Sequence, residues 1–161
     1  MKIFITSFNN IRYFKENMIP VSTALGWPWW LYKDADAKVG DYYVDKHNIM
    51  IGISDERLHF NKDAFEEMEE KCQKNCPYIS KIPNCQFMTE YLNHLRSLDF
   101  SKIIEDLKIT GEEVRKVTKY KGEPIIVLMV YEAASCPCAE RPILRKWFEE
   151  NGYKLPEWTR S

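Results

Sequence analysis

Pro124-Ile125-Ile126-Val127-Leu128-Met129-Val130-Tyr131 is the stretch on which the fold turns. A strand with one wet face alternates apolar and polar residues. A run with no polar break predicts a strand covered on both faces, as in a parallel sheet. Working outward, residues 2–8 form a second short apolar, β-rich run. Residues 3–7 and 125–131 are therefore expected as neighbouring parallel strands in the middle of a sheet, both being too apolar for an edge. Residues 20–25 (Pro-Val-Ser-Thr-Ala-Leu) read as a weaker strand stopped by Gly26 and Pro28, and residues 48–54 as another. The polar stretch 31–48, with Gly40 and scattered aspartates, reads as a long loop.

Helices fill the second half. Asn61 is placed to cap a helix reaching Cys72, with Phe65, Met68 and Cys72 on one face. Phe87, Met88, Tyr91, Leu92, Leu95 and Leu98 recur at helical spacing. Asp99 is placed to cap a short helix burying Phe100, Ile103, Ile104 and Leu107, and Thr110 with Glu113 forms a capping box for the next. A last helix runs over residues 142–150 with Ile143, Leu144, Trp147 and Phe148 inward, ended by Asn151-Gly152. This order predicts an α/β fold, a mostly parallel sheet with helices on both faces. One domain spanning residues 1–161 is expected, with an insertion at about 52–85.

Composition narrows the function classes. Of 161 residues, 45% are hydrophobic and 14% aromatic, enough for one core. At this size folding buries roughly 70% of the chain's surface. The 23 basic and 24 acidic side chains leave a net charge of −1. A duplex nucleic-acid binder needs a basic surface to displace counterions from phosphates, so that partner is not expected. No apolar run approaches the ~20 residues that span a bilayer, and the N-terminus lacks the pattern of a signal peptide. A membrane partner is not expected, and a cytoplasmic location is. Five cysteines, an odd number, fit reduced thiols better than a disulfide framework.

In parallel α/β sheets, ligands sit beyond the carboxyl ends of the strands, where helix N-termini point. Three segments should meet there: residues 6–10, 22–30 and 132–141. The third reads Glu132-Ala-Ala-Ser-Cys136-Pro-Cys138-Ala-Glu140-Arg141-Pro142. Proline suits the first turn of a helix, which puts Cys138 and Arg141 at or just before its N-terminus. The helix dipole and the guanidinium would favour a Cys138 thiolate, a candidate nucleophile. No histidine stands near it in sequence to act as base. Arg141 suits a phosphate or carboxylate. The plainer alternative is a tight turn with incidental cysteines and a surface ion pair between Glu140 and Arg141.

Cys72, Cys76, Cys85, Cys136 and Cys138 could in principle gather round zinc, but no pair has zinc-ribbon spacing, and neither metal nor cofactor is expected. Trp27, Trp29 and Trp30 cannot all face water. Core capping is their default role, with a stacking wall for a planar ligand as the alternative. His47, His59 and His94 are far apart and adjoin no carboxylate pattern, His94 reads as structural on the apolar face of its helix, and no glycine-rich phosphate loop is present.

Two of these segments together resemble the domain-of-unknown-function family 488. Its short members, often encoded by phages or prophages, have a strand ending in Ser followed by Gly-x-Pro-x-Trp, matched here by residues 22–30. They also have an apolar strand, an acidic loop and Cys-His-Arg opening a helix that contains Trp. Ile125 to Tyr131, Glu132, Cys138-Ala-Glu-Arg141 and Trp147 match that part. The resemblance covers most of the chain outside residues 32–85. It implies a Rossmann-like three-layer α/β/α fold and a pocket at the arginine-bearing loop, but no reaction. Leu25 stands where the family has arginine, and Ala139-Glu140 replaces its histidine, which favours binding over catalysis. The expected ligand is a small anion, a nucleotide or its derivative. Arg141 would hold the charge, Ser7, Ser22 and Thr23 would give hydroxyl contacts, Trp27 or Trp30 would stack, and Glu132 is a further ligand-binding candidate. The alternatives are a thiol-dependent enzyme using Cys138, or a phage accessory protein that binds a host protein through acidic segment 63–70.

Overall fold

The computed structural model describes residues 1–15, 17–24, 37–39, 42–44, 50–63, 66–67, 86–130 and 140–160. Its strands are β1 (Lys2–Ser7), β2 (Met18–Ser22), β3 (Ala37–Val39), β4 (Tyr42–Val44), β5 (Met50–Ser54) and β6 (Ile125–Val130). They form one sheet in the order β1-β6-β2-β5-β4-β3. The strands β1, β6, β2 and β5 run parallel, and β4 and β3 extend the sheet antiparallel. The chain is an α/β protein. β3 and β4 fall inside the stretch read from sequence as a loop. Tyr42, Tyr43 and Val44 favour extended backbone, and their short β-rich run was outweighed by the surrounding polar residues.

β6 is enclosed as its composition demands, with residues 126–130 all buried between β1 and β2. β1 pairs with β6 in parallel but ends the sheet instead of lying in its middle. Its outer edge is closed by the C-terminal segment: Ile5 N–H donates to the Pro156 carbonyl at 3.1 Å and Trp158 N–H to the Ile5 carbonyl at 2.8 Å. These two bonds occupy the donor and acceptor that Ile5, in the middle of β1, would otherwise expose at an open edge. Farther along the segment, Trp158 meets Phe14 edge-on at 5.1 Å and the Arg160 guanidinium lies 4.2 Å from the Tyr13 ring centre.

β2 contains a proline, which shapes its pairing. Thr23 N–H bonds the Met129 carbonyl, so by alternation the nitrogen of Pro20 faces β5. Pairing with β5 begins only at Val21, after the missing donor.

Among the described residues the α-helices are α1 (Gln86–Arg96), α2 (Phe100–Thr118) and α3 (Glu140–Glu150). Their apolar stripes pack with Ile5, Ile19, Val21, Ile126, Leu128 and Val130 on one face of the sheet. Phe100 sits edge-on to Trp147 at 5.0 Å and to Phe148 at 5.1 Å, joining α2 to α3. Burying rings of this size stabilises by about 1.5–3 kcal/mol each. The alternate residues Val127 and Met129 face the other way, onto Phe8, Met18 and Ala24. That face is covered, among the described residues, by the 3-10 helix Phe8–Tyr13 and by Phe14 and Trp158.

Asp99 caps α2, its Oδ1 accepting from Lys102 N–H at 3.2 Å. Two short helices were expected here, but α2 runs unbroken through Thr110 and Gly111. Gly111 survives in the interior because an added Cβ would stand 2.9 Å from the Pro124 ring. The close approach of α2 to the entrance of β6, not a turn, requires the glycine. Residues 62–63 and 66–67 are helical, in line with the helix expected after Asn61, while Phe65, Met68 and Cys72 lie outside the described residues. No helix among the described residues is long and apolar enough to cross a membrane.

Candidate functional site

The carboxyl ends of β1, β6, β2 and β5 lie along one edge of the sheet because the strands are parallel. Ser7 ends β1, Ser22 ends β2 with Thr23 beside it, and Ser54 ends β5. α3 begins at the same edge, where its Glu140 and Arg141 reach Thr23 and Ser7.

Arg141 is 3% exposed. Its Nη2 donates to Ser7 Oγ at 2.8 Å, and its Nε lies 2.5 Å from Glu157 Oε1. That second contact is close but poorly directed: neither Nε nor either Glu157 oxygen makes an aligned hydrogen bond among the described residues. The pairing is therefore mainly Coulombic. Burial pushes the Glu157 carboxyl above its usual range, while Arg141 and Arg145 pull it partly back. Both Glu140 and Arg141 are buried, so a surface ion pair does not describe them.

Glu140 lies in the first described turn of α3, where a carboxylate is favoured by the helix dipole. Its Oε2 is 3.3 Å from Thr23 Oγ1, which also donates to the Met129 carbonyl at 3.0 Å. Ser22 Oγ accepts from Ala24 N–H at 3.2 Å. Ser22 and Thr23 are fully buried. The Thr23 hydroxyl ties the end of β2 to β6 and the Ser22 hydroxyl bonds the backbone of Ala24, so a ligand reaching them would have to replace those bonds. Thr6, also buried, donates to the Trp158 carbonyl at 3.1 Å and accepts from Asn10 Nδ2 at 2.7 Å.

The structure thus brings together Ser7, Ser22, Thr23 and Arg141 at one edge, with Ser7 and Arg141 in direct contact. Trp27, Trp30, Glu132 and Cys138 lie outside the described residues, as do His47 and the other four cysteines.

Two participants were missed. Glu157 falls in a C-terminal segment with no motif, and nothing in its spacing points at Arg141. The other is His59, passed over for want of a carboxylate pattern, whose Nε2 is 2.8 Å from Ser54 Oγ at the end of β5. The signal was present in Ser54-Asp55-Glu56-Arg57-Leu58-His59, a strand-ending serine with a histidine one short turn later. His94 does play a structural part, its Nε2 donating to the Arg57 carbonyl at 2.8 Å.

No family model matches the chain, and no curated protein or solved structure matches it.

Proposed function

We propose that this protein binds a small anionic ligand, a nucleotide or nucleotide derivative, at the carboxyl ends of its parallel strands. The observation that carries this reading is the position of Arg141, in the first turn of α3 with its Nη2 on Ser7 at the end of β1. A guanidinium fixed at a sheet edge beside a helix start is suited to phosphate or carboxylate oxygens. Glu157 is the occupant such a ligand would displace. Its carboxylate is held without aligned hydrogen bonds, and burial disfavours its charge. A phosphate that offers oxygens along the N–H directions is the better partner. On this reading the fold is Rossmann-like and three-layered, with the 3-10 helix in the second helical layer. Trp27 or Trp30 is the candidate to stack on a base, and Glu132 is a further candidate contact.

Calorimetric titration with inorganic phosphate, AMP and ATP tests the proposal. Saturable binding to at least one of them is expected. Arg141→Lys should weaken it at least tenfold, since a charged hydrogen bond contributes about 1.5–3 kcal/mol. Cys138→Ser should leave affinity nearly unchanged. No saturable heat with any of the three, or equal affinity in Arg141→Lys, would overturn it.

A further inference from the structure

Three strands across the sheet from Arg141, roughly 14 Å at the usual strand spacing, lies a second arrangement that the anion-binding reading does not use. Ser54 ends β5 with its side chain exposed, and its Oγ is 2.8 Å from Nε2 of His59. The tight turn between them begins at once: Asp55 caps the 3-10 helix Glu56–Leu58 by accepting from Arg57 N–H, and His59 follows. We propose that Ser54 and His59 are a nucleophile and general base that take an acyl group from a neutral or cationic carboxylic ester.

The imidazole has two of the relations this chemistry requires. It touches the hydroxyl whose proton it would remove. Partial burial, the dominant influence on the ring, holds its pKa below the ordinary histidine value against the opposing charges of Glu56 and Asp55. The ring is therefore neutral at pH 7 and free to accept a proton.

The turn that carries His59 is also clamped from outside. Tyr91 Oη donates to the Leu58 carbonyl at 2.7 Å, and His94 Nε2 to the Arg57 carbonyl at 2.8 Å, both from α1. Arg57 grips Asp55 through two contacts of 2.9 and 2.8 Å and reaches Asp106 on α2 at 2.6 Å. Leu58 and Phe60, on either side of His59, are buried in the main core. Such support holds a base in place before substrate arrives, which an incidental surface serine–histidine contact does not need. The exposed Glu56 carboxylate beside the ring sets the substrate preference, because it repels an anionic acyl group.

In the reaction, Ser54 Oγ bonds to the acyl carbon as its proton passes to His59 Nε2. The ester C–O bond breaks, and the leaving alkoxide takes that proton. Water then attacks the acyl-serine and gives a proton to His59, which returns it to Ser54 Oγ as the carboxylic acid departs.

The test uses the whole chain, a fluorophosphonate probe and p-nitrophenyl acetate. A single covalent phosphonyl adduct is expected, mapped to Ser54 by peptide mass spectrometry and absent in Ser54→Ala. His59→Gln should slow both labelling and ester hydrolysis about a hundredfold, at the low end of general-base contributions. Failure of the parent protein to label at Ser54 overturns the proposal, as does equal labelling in His59→Gln. Neither result touches Arg141, so the anion-binding reading stands or falls separately.

Discussion

Glu157 and Arg141 meet with Oε1 2.5 Å from Nε, yet the N–H does not point along that line. The pair joins the last segment of the chain to the first turn of α3. Through Arg141 Nη2 and Ser7 it also reaches the end of β1. Two opposite charges buried together are strongly coupled, and removing one exposes the cost of burying the other. Arg141→Met should therefore destabilise by about 3 kcal/mol in urea denaturation. Adding Glu157→Leu should restore more than half of that loss, because no uncompensated carboxylate remains. Additive losses would mean that the two charges are not coupled.

The Glu157 carboxyl is raised by burial, so the native state binds its proton more readily than the unfolded chain does. Its contribution to stability is fully present below the ordinary glutamate value, near 4.5. That contribution is lost as pH rises through the folded-state value. Glu157→Gln should flatten the stability profile in the window just above pH 4.5, measured by urea midpoints at closely spaced pH values. A parallel offset with unchanged slope would contradict this.

His59 is shifted the other way. Burial lowers its value from 6.5, opposed by Glu56 and Asp55. Its share of stability is present above that ordinary value and is lost as pH falls below it, because the unfolded chain then takes the proton first. Proton NMR of the imidazole should place its midpoint below 6.5, and Glu56→Gln should move it lower still. An upward move would show that Glu56 does not act on the ring.

Gly111→Ala sets two effects of opposite sign against each other. Alanine in a helix interior is favoured over glycine by about 1 kcal/mol. The new methyl would stand 2.9 Å from Pro124 Cβ, and the ring cannot swing away as a flexible chain end could. Overpacking of this kind costs about 1–3 kcal/mol. Net destabilisation is expected, read as a lower midpoint in thermal unfolding. A raised midpoint would show that α2 can shift away from the sheet.

Lys119 closes α2 in the left-handed region, with φ of 58° and its N–H on the Arg115 carbonyl. Glycine adopts that conformation without a Cβ penalty. Lys119→Gly should raise stability by about 0.5–1 kcal/mol by urea denaturation, and Lys119→Val should lower it.

Local composition alone determined the strand at residues 125–130, the apolar stripes of α1 and α3, the Asp99 cap and the α/β class. Each is encoded within a few consecutive residues. The unbroken run of β6 needs two covered faces, and the helical periodicity of Phe87 to Leu95 needs one. The break expected near Thr110 failed for a reason no short window contains. A capping box competes with helix continuation, and Gly111 is held in the helix by the nearness of Pro124, thirteen residues away in sequence. The candidate site divides in the same way. Arg141 was legible because Pro142 marks a helix start after a buried strand. Its contacts with Ser7 and Glu157 were not, because they depend on β1 lying beside β6 and on the C-terminal segment closing the outer edge of β1. Only strand order, a property of the whole chain, brings those three residues within reach of one another.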